Sequence, residues 1–187
     1  MSLSQEKIVS NTKKYFETGT KLGFMNEELM QFLGEAIIKA PASSMSDFHN
    51  AFEGGLIDHL LRVTANAVKI NETLPEILKV DKNSLVKTCF LHQIGKANLY
   101  TPCTSEWHRK NQGKMYEFNE DLISMRVGER SIYYATSHGI KFTEEEYVAI
   151  LNFDKNDDKM SEYHNSMIGE LLKMGSIIAI KEAQSTK

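Results

Sequence analysis

Apolar residues recur every three or four positions along most of this sequence, the spacing that turns one face of an α-helix toward a core. The clearest stripe runs from Leu56 to Ile70, and a second apolar run extends from Leu85 to Ile94. Hydrophobic residues make up 41% of the 187 residues, which is enough to bury one substantial core. The pattern therefore predicts a single all-α domain over residues 1–187.

Capping residues divide this pattern into separate helices. Asn26 is suited to cap a second helix, and Ser84 is suited to cap a later one that ends at Gly95. Thr143 and Glu146 match the capping box with which many helices begin. The three helices predicted in the last third of the chain span 128–136, 143–151 and 161–180.

The helical pattern breaks between residues 100 and 121. The run Asn111 to Gly113 has residues that accept the left-handed backbone of tight turns, so segments 107–110 and 114–118 are predicted as the arms of a short β-hairpin. Aromatic side chains on this hairpin would either pack on their own domain or form a face that stacks on a base or meets a partner. They are Trp107, Tyr116 and Phe118.

Charge and cysteine content narrow the class of protein. A formal net charge of -3 gives no overall cationic field for binding nucleic acid. Cys89 and Cys103 lie in unlike contexts and suggest no disulfide framework, which favours a reducing compartment. The polar stretch from Met1 to Lys14 lacks a signal-peptide core, and no apolar run is long enough to span a bilayer. We therefore expect a cytoplasmic protein that does not bind membranes.

Three histidines are the main candidates for chemistry. Gly54 and Gly55 open the helix that carries His59, His92 closes the next apolar helix, and His49 lies shortly before the glycine pair. Imidazole nitrogens held by two packed helices can meet at one divalent metal. The alternative for each histidine is a helix-end side chain that bonds a backbone carbonyl. The flanking residues of His59 and His92 favour the metal site for this pair.

These flanks resemble a known family. The run from His92 to Lys96, His-Gln-Ile-Gly-Lys, resembles the His-Asp-Ile-Gly-Lys signature of the HD-domain metal-dependent phosphohydrolases, with Gln93 in place of aspartate. Gly54-Gly55-Leu56 followed by His59 resembles the first-histidine motif of that superfamily, especially its small bacterial and phage branch. The resemblance covers residues 41–183 and leaves the helices within 1–40 outside. It implies an HD-domain-like helical bundle with a short β-hairpin insertion, in which His59 and His92 bind metal.

The resemblance also implies that other metal ligands are missing. Gln93 contributes no negative charge, Val127 and Phe153 hold the places of two histidines, and Ser176 holds the place of a distant aspartate. Catalytic metal sites normally use at least three protein ligands, so we expect a degenerate site without a cofactor. The vestigial catalytic residues are His92, Gln93 and Lys96, and the candidates for a replacement ligand are His49 and Asp154.

Three functions remain in competition, and we expect the first of them. A degenerate site that keeps its cations would act as a binding or regulatory module for a nucleotide-like phosphate ligand or a protein partner, with Lys96, Arg130 and Lys173 binding the anion. The alternative reading of Arg130 and Lys173 is that they are solvated helix-end charges. The second function is an active phosphohydrolase on nucleotides or nucleic acid, with manganese, zinc, magnesium or iron in a rearranged ligand set. The third is a structural scaffold. No role is assigned to His108, His138 or His164.

Overall fold

A computed structural model of the protein describes residues 2–154 and 166–185. In this part of the chain two short strands, β1 (Tyr100–Pro102) and β2 (Tyr116–Phe118), pair in an antiparallel hairpin. The α-helices are α1 (Gln5–Lys21), α2 (Glu27–Lys39), α3 (Gly55–Thr73), α4 (Lys82–Leu91), α5 (Glu106–Gln112), α6 (Val127–Ser137), α7 (Glu144–Leu151) and α8 (Met167–Ser185). The prediction of an all-α bundle with a small β-hairpin is confirmed.

Helix α3 lies at the centre of the bundle, with its largest contacts to α8 and then to α4. The first two helices belong to the same hydrophobic core, since α1 and α2 contribute buried residues to the cluster formed by α3, α4 and α6. Tyr15 of α1 stacks on Phe90 of α4 at 4.7 Å between ring centroids, and its hydroxyl donates to the Phe90 carbonyl at 2.9 Å. Helix α1 therefore packs directly against the end of α4 that carries His92, and α2 packs against α1 and α3.

Most helix boundaries follow the capping residues. The Asn26 side chain accepts from the Leu29 amide at 2.9 Å, and the capping box of Thr143 is formed as predicted. The predicted cap at Ser84 is wrong, because α4 begins one turn earlier and Asp81 accepts from the Ser84 amide at 2.8 Å. The predicted helix over 161–180 appears as α8, while residues 161–165 lie outside the described part of the chain.

The hairpin is built differently from the sequence prediction. Segment 107–110 is helical and belongs to α5, whose first turn is capped by Ser105. Gly113, with φ of 65°, ends α5 in the left-handed conformation instead of turning a hairpin. A left-handed glycine serves both purposes, and here the helix C-cap prevails. The strand paired with β2 is therefore β1, on the other side of α5, with Tyr100 opposite Phe118.

The hairpin region anchors the loop that leads into α3. The Ser46 amide donates to the Gly113 carbonyl at 2.7 Å, and the Met115 amide donates to the Ser44 carbonyl at 2.8 Å. These bonds hold residues 44–46 shortly before His49, so the loop enters the site from a fixed direction. Among the described residues no helix is long and apolar enough to cross a membrane.

Candidate functional site

A close backbone crossing brings His49 to His59. A Cβ atom on Gly55 would lie 2.2 Å from the Asn50 carbonyl oxygen, so only glycine permits the loop to cross the start of α3 there. Asn50 takes a left-handed backbone with φ of 51°, and its side-chain amide donates to the Gly55 carbonyl at 3.2 Å. The crossing places the His49 and His59 rings 4.4 Å apart between centroids.

The end of α4 supplies the third histidine. His92 is the C-cap residue of α4, and its Nδ1 atom lies 2.8 Å from the Cys89 carbonyl oxygen. Because a carbonyl only accepts, Nδ1 carries the hydrogen and Nε2 is left with its lone pair. The His92 ring centroid lies 6.4 Å from that of His59. A metal-binding histidine is commonly held by this kind of Nδ1 hydrogen bond to a carbonyl.

A tight contact with α6 holds the segment after His92. A Cβ atom on Gly95 would lie 2.6 Å from the Val127 carbonyl oxygen, so glycine is required at this approach. The Gly95 amide donates to the Ser131 hydroxyl at 2.9 Å, and that hydroxyl lies 3.0 Å from the His92 carbonyl. The motif glycine therefore serves to bring the His92 segment against the start of α6.

The two core histidines are buried without hydrogen-bond partners for most of their ring nitrogens. His59 is 1% exposed and His92 is 0% exposed. Within the described residues neither nitrogen of His59 has a partner, and nor does Nε2 of His92. Burial lowers the pKa of His92 to about 3 and the pKa of His59 well below its usual range, so both rings are neutral at pH 7. Buried polar atoms are usually paired, which makes these nitrogens candidates for ligand contacts.

Gln93, which stands at the aspartate position of the motif, accepts a hydrogen bond from Lys96. The Lys96 ammonium donates to the Gln93 side-chain oxygen at 3.2 Å and to the Ala42 carbonyl at 2.7 Å. Part of the Lys96 side chain is exposed to solvent, but its ammonium is surrounded by protein. This burial lowers the pKa of Lys96 to about 8. The charge of Asp154 acts in the opposite direction and raises that pKa.

The end of α7 closes one side of the histidine cluster. The Phe153 ring meets His92 edge-on, with centroids 4.6 Å apart, so the position where the resemblance places a lost histidine does face the site. Asp154 follows it and is exposed, but partial burial of its carboxyl raises the pKa and Lys96 partly offsets this. Asp154 is thus electrostatically coupled to Lys96, which keeps it a candidate ligand.

The donors fit a divalent transition metal in kind, because buried neutral imidazoles with unpartnered lone pairs suit such ions. They do not complete a site by themselves. In the two described ranges no group of three or more histidine, cysteine, aspartate or glutamate side chains is arranged to hold a metal ion. The side-chain oxygen of Gln93 is engaged by Lys96.

The other predicted site residues lie in different surroundings. Arg130 is 5% exposed, and its guanidinium donates to the Ile123 carbonyl. Lys173 lines a small cleft between α7 and α8 with Asn152, so nothing places it beside the histidines. Ser176 is buried within α8. The anion-binding roles of Arg130 and Lys173 stay predictions, and His164 lies outside the described residues.

Sequence reasoning missed a buried polar network beside His59. Asp58, the residue before His59, is 5% exposed. Its carboxylate accepts from Asn11 at 3.0 Å, from Asn50 at 3.0 Å and from Arg62 at 2.8 Å. The spacing of Asp58 and Arg62, four residues apart on one helix face, is the signal that could have revealed part of it.

Comparison with known proteins gives one distant similarity. A protein of Methanocaldococcus jannaschii, described as a dihydroneopterin 2',3'-cyclic phosphate phosphodiesterase, is 33% identical to this chain over 101 residues. The aligned stretch covers 51% of this chain and 37% of that relative, so the chain spans little more than a third of the relative's length. No protein-family profile matches the sequence, and no solved structure matches it.

Proposed function

We propose that this protein is an HD-type phosphohydrolase that cleaves a phosphate ester of a nucleotide-like compound at the histidine cluster. The observation that carries the proposal is the buried pair His59 and His92, whose ring nitrogens lack partners among the described residues. The distant similarity to a cyclic phosphate phosphodiesterase supports hydrolysis over the expected pure binding role. This favours the second of the three functions considered from the sequence.

Each residue of the cluster has a distinct task under this proposal. His59 and His92 would hold a divalent metal, which acts as a Lewis acid and lowers the pKa of a bound water. His49 and Asp154 are the candidates to complete the ligand set. The His49 ring lies 4.4 Å from that of His59, and the Asp154 carboxylate interacts electrostatically with Lys96. Lys96 supplies a charged hydrogen-bond donor to a phosphate oxygen.

The substrate class follows from the similarity and from the small number of charges in the cluster. One lysine suits a phosphodiester, which carries a single negative charge, better than a phosphomonoester with nearly two. A cyclic phosphodiester of a nucleotide-like compound is therefore the substrate that we propose, in keeping with the activity for which the relative is named.

The test is hydrolysis by the full chain purified without chelators. Bis-p-nitrophenyl phosphate and adenosine 2',3'-cyclic monophosphate are offered with manganese, zinc or magnesium. We expect metal-dependent turnover that falls by roughly a hundredfold or more in His92→Asn. His138→Asn is the matched control, because His138 also caps a helix and bonds a carbonyl but lies against Phe32. Turnover in none of the metals, or unchanged turnover in His92→Asn, would contradict the proposal.

A second function, phosphate binding without hydrolysis, is favoured by the contact between Gln93 and Lys96. This contact keeps the Lys96 ammonium in the cluster and occupies the Gln93 side-chain oxygen, which a metal would otherwise bind. Phosphate binding in the presence of EDTA, together with no turnover in any metal, would select this function.

A further inference from the structure

Two neutral oxygen atoms accept the hydrogen bonds that the Lys96 ammonium forms within the described part of the chain. The ammonium donates to the Gln93 side chain and to the Ala42 carbonyl, and an ammonium has three hydrogens. No carboxylate among the described residues forms an ion pair with it. One hydrogen of Lys96 therefore remains for another acceptor, and Asp154 acts on its charge only from beyond ion-pair distance.

Lys87, a second partly buried lysine, has the opposite kind of acceptor. The Lys87 ammonium pairs with the buried carboxylate of Glu146 at 2.6 Å, and its charge is compensated there. The difference lies in the acceptor, since Gln93 has the reach of a glutamate side chain but no charge. An aspartate or glutamate at position 93 would compensate Lys96 as Glu146 compensates Lys87.

We propose that Gln93 is a positioning residue that fixes the Lys96 ammonium beside the histidines while leaving its charge uncompensated for a phosphate oxygen. The glutamine is then a functional replacement and not a vestige of a metal ligand. This inference rests on the proposed function, because it assumes that the ligand carries a phosphate. It concerns affinity for the anion, whereas the proposed function concerns hydrolysis.

Two substitutions of similar length separate positioning from simple packing. Gln93→Glu keeps an acceptor for Lys96 but compensates its charge, whereas Gln93→Met removes the acceptor and leaves the charge. We expect Gln93→Glu to weaken binding of inorganic phosphate roughly tenfold or more, and Gln93→Met to weaken it only a few-fold. A purely structural glutamine predicts the reverse order, because glutamate preserves the hydrogen bond and methionine does not.

The measurement is calorimetric titration of inorganic phosphate into the full chain in EDTA, which removes any metal contribution. Lys96→Met should abolish binding in every background, and Lys110→Met, at an exposed lysine of α5, should leave it unchanged. Thermal unfolding of each variant checks that Gln93→Glu remains folded. Equal affinities of wild type and Gln93→Glu, or no phosphate binding by folded wild type, would overturn the inference. Hydrolysis by wild type is measured separately, so the inference can fail while the proposed function stands.

Discussion

Asp58 and His59 are neighbours on the first turn of α3, and both are almost completely buried, yet their surroundings differ. The Asp58 carboxylate accepts three hydrogen bonds, from Asn11, Asn50 and Arg62. Neither ring nitrogen of His59 has a partner among the described residues. The Asp58 carboxylate therefore has its hydrogen bonds within the described fold, whereas the ring nitrogens of His59 have none there.

This difference indicates that Asp58 contributes to stability, whereas His59, on the same part of the helix, is suited to binding a ligand. Asp58 joins α1, α3 and the loop before α3, so its bonds hold the elements that position the site. His59 forms no hydrogen bond with the described residues that would offset the cost of burying a polar ring. A buried polar group without partners is retained at a cost in stability, which is the pattern expected of a ligand-binding residue.

The largest expected effect is a loss of stability in Asp58→Ala. Removing the carboxylate leaves the buried amides of Asn11 and Asn50 without their acceptor, at about 1 to 3 kcal/mol each, whereas the partly exposed Arg62 can be solvated. Asp58→Asn keeps an acceptor of the same shape and should lose less. Urea denaturation followed by circular dichroism measures both variants. An Asp58→Ala protein as stable as wild type would remove the contrast with His59.

Acid should destabilise the protein through the histidines. Burial lowers the pKa values of His59 and His92 in the folded protein. Below pH 6.5 these histidines are therefore protonated in the unfolded chain but neutral in the folded one, which favours unfolding. For His92 alone the loss between pH 6.5 and pH 4 is roughly 3 kcal/mol. The free energy of unfolding across this range, measured in EDTA, should decline less steeply in His92→Leu than in wild type. His138→Leu serves as the control, and an equal slope in His92→Leu and wild type would disprove the assignment.

The smallest expected change is a gain in His59→Leu. Leucine has a similar volume and no polar atoms, so it avoids the cost of the unpartnered ring and should raise stability by about 1 kcal/mol. The same substitution should abolish metal-dependent turnover. Chemical denaturation and the phosphodiester assay together give the result. A clear loss of stability would indicate that His59 has a structural role after all.

The sequence was sufficient for most of the fold. Helical periodicity and the caps at Asn26 and Thr143 predicted the bundle, and the left-handed glycine at position 113 was recognised. The sequence did not show that Gly113 ends a helix, because the same left-handed conformation either ends a helix or turns a hairpin. At the start of α4 the sequence indicated Ser84 as the cap, whereas Asp81, a residue equally suited to capping, holds that place in the structure.

The candidate site was predictable only as far as its motif extends. The pairing of His59 with His92 follows from residues adjacent to each histidine. The contact of Lys96 with Ala42 joins residues 54 positions apart, and no local pattern predicts it. The Asp58 network depends likewise on Asn11 of another helix, 47 positions away. Local spacing reveals neither.

Nitrogen-15 NMR of the histidine side chains reports directly whether His59 and His92 are neutral rings whose nitrogens can bind a ligand. In EDTA at pH 6 we expect neutral rings for both residues, with the proton of His92 on Nδ1. Addition of zinc should shift the ring nitrogens of His59 and His92 and leave those of His138 unchanged. Rings of His59 and His92 that are protonated at pH 6, or that do not respond to zinc, would contradict the account.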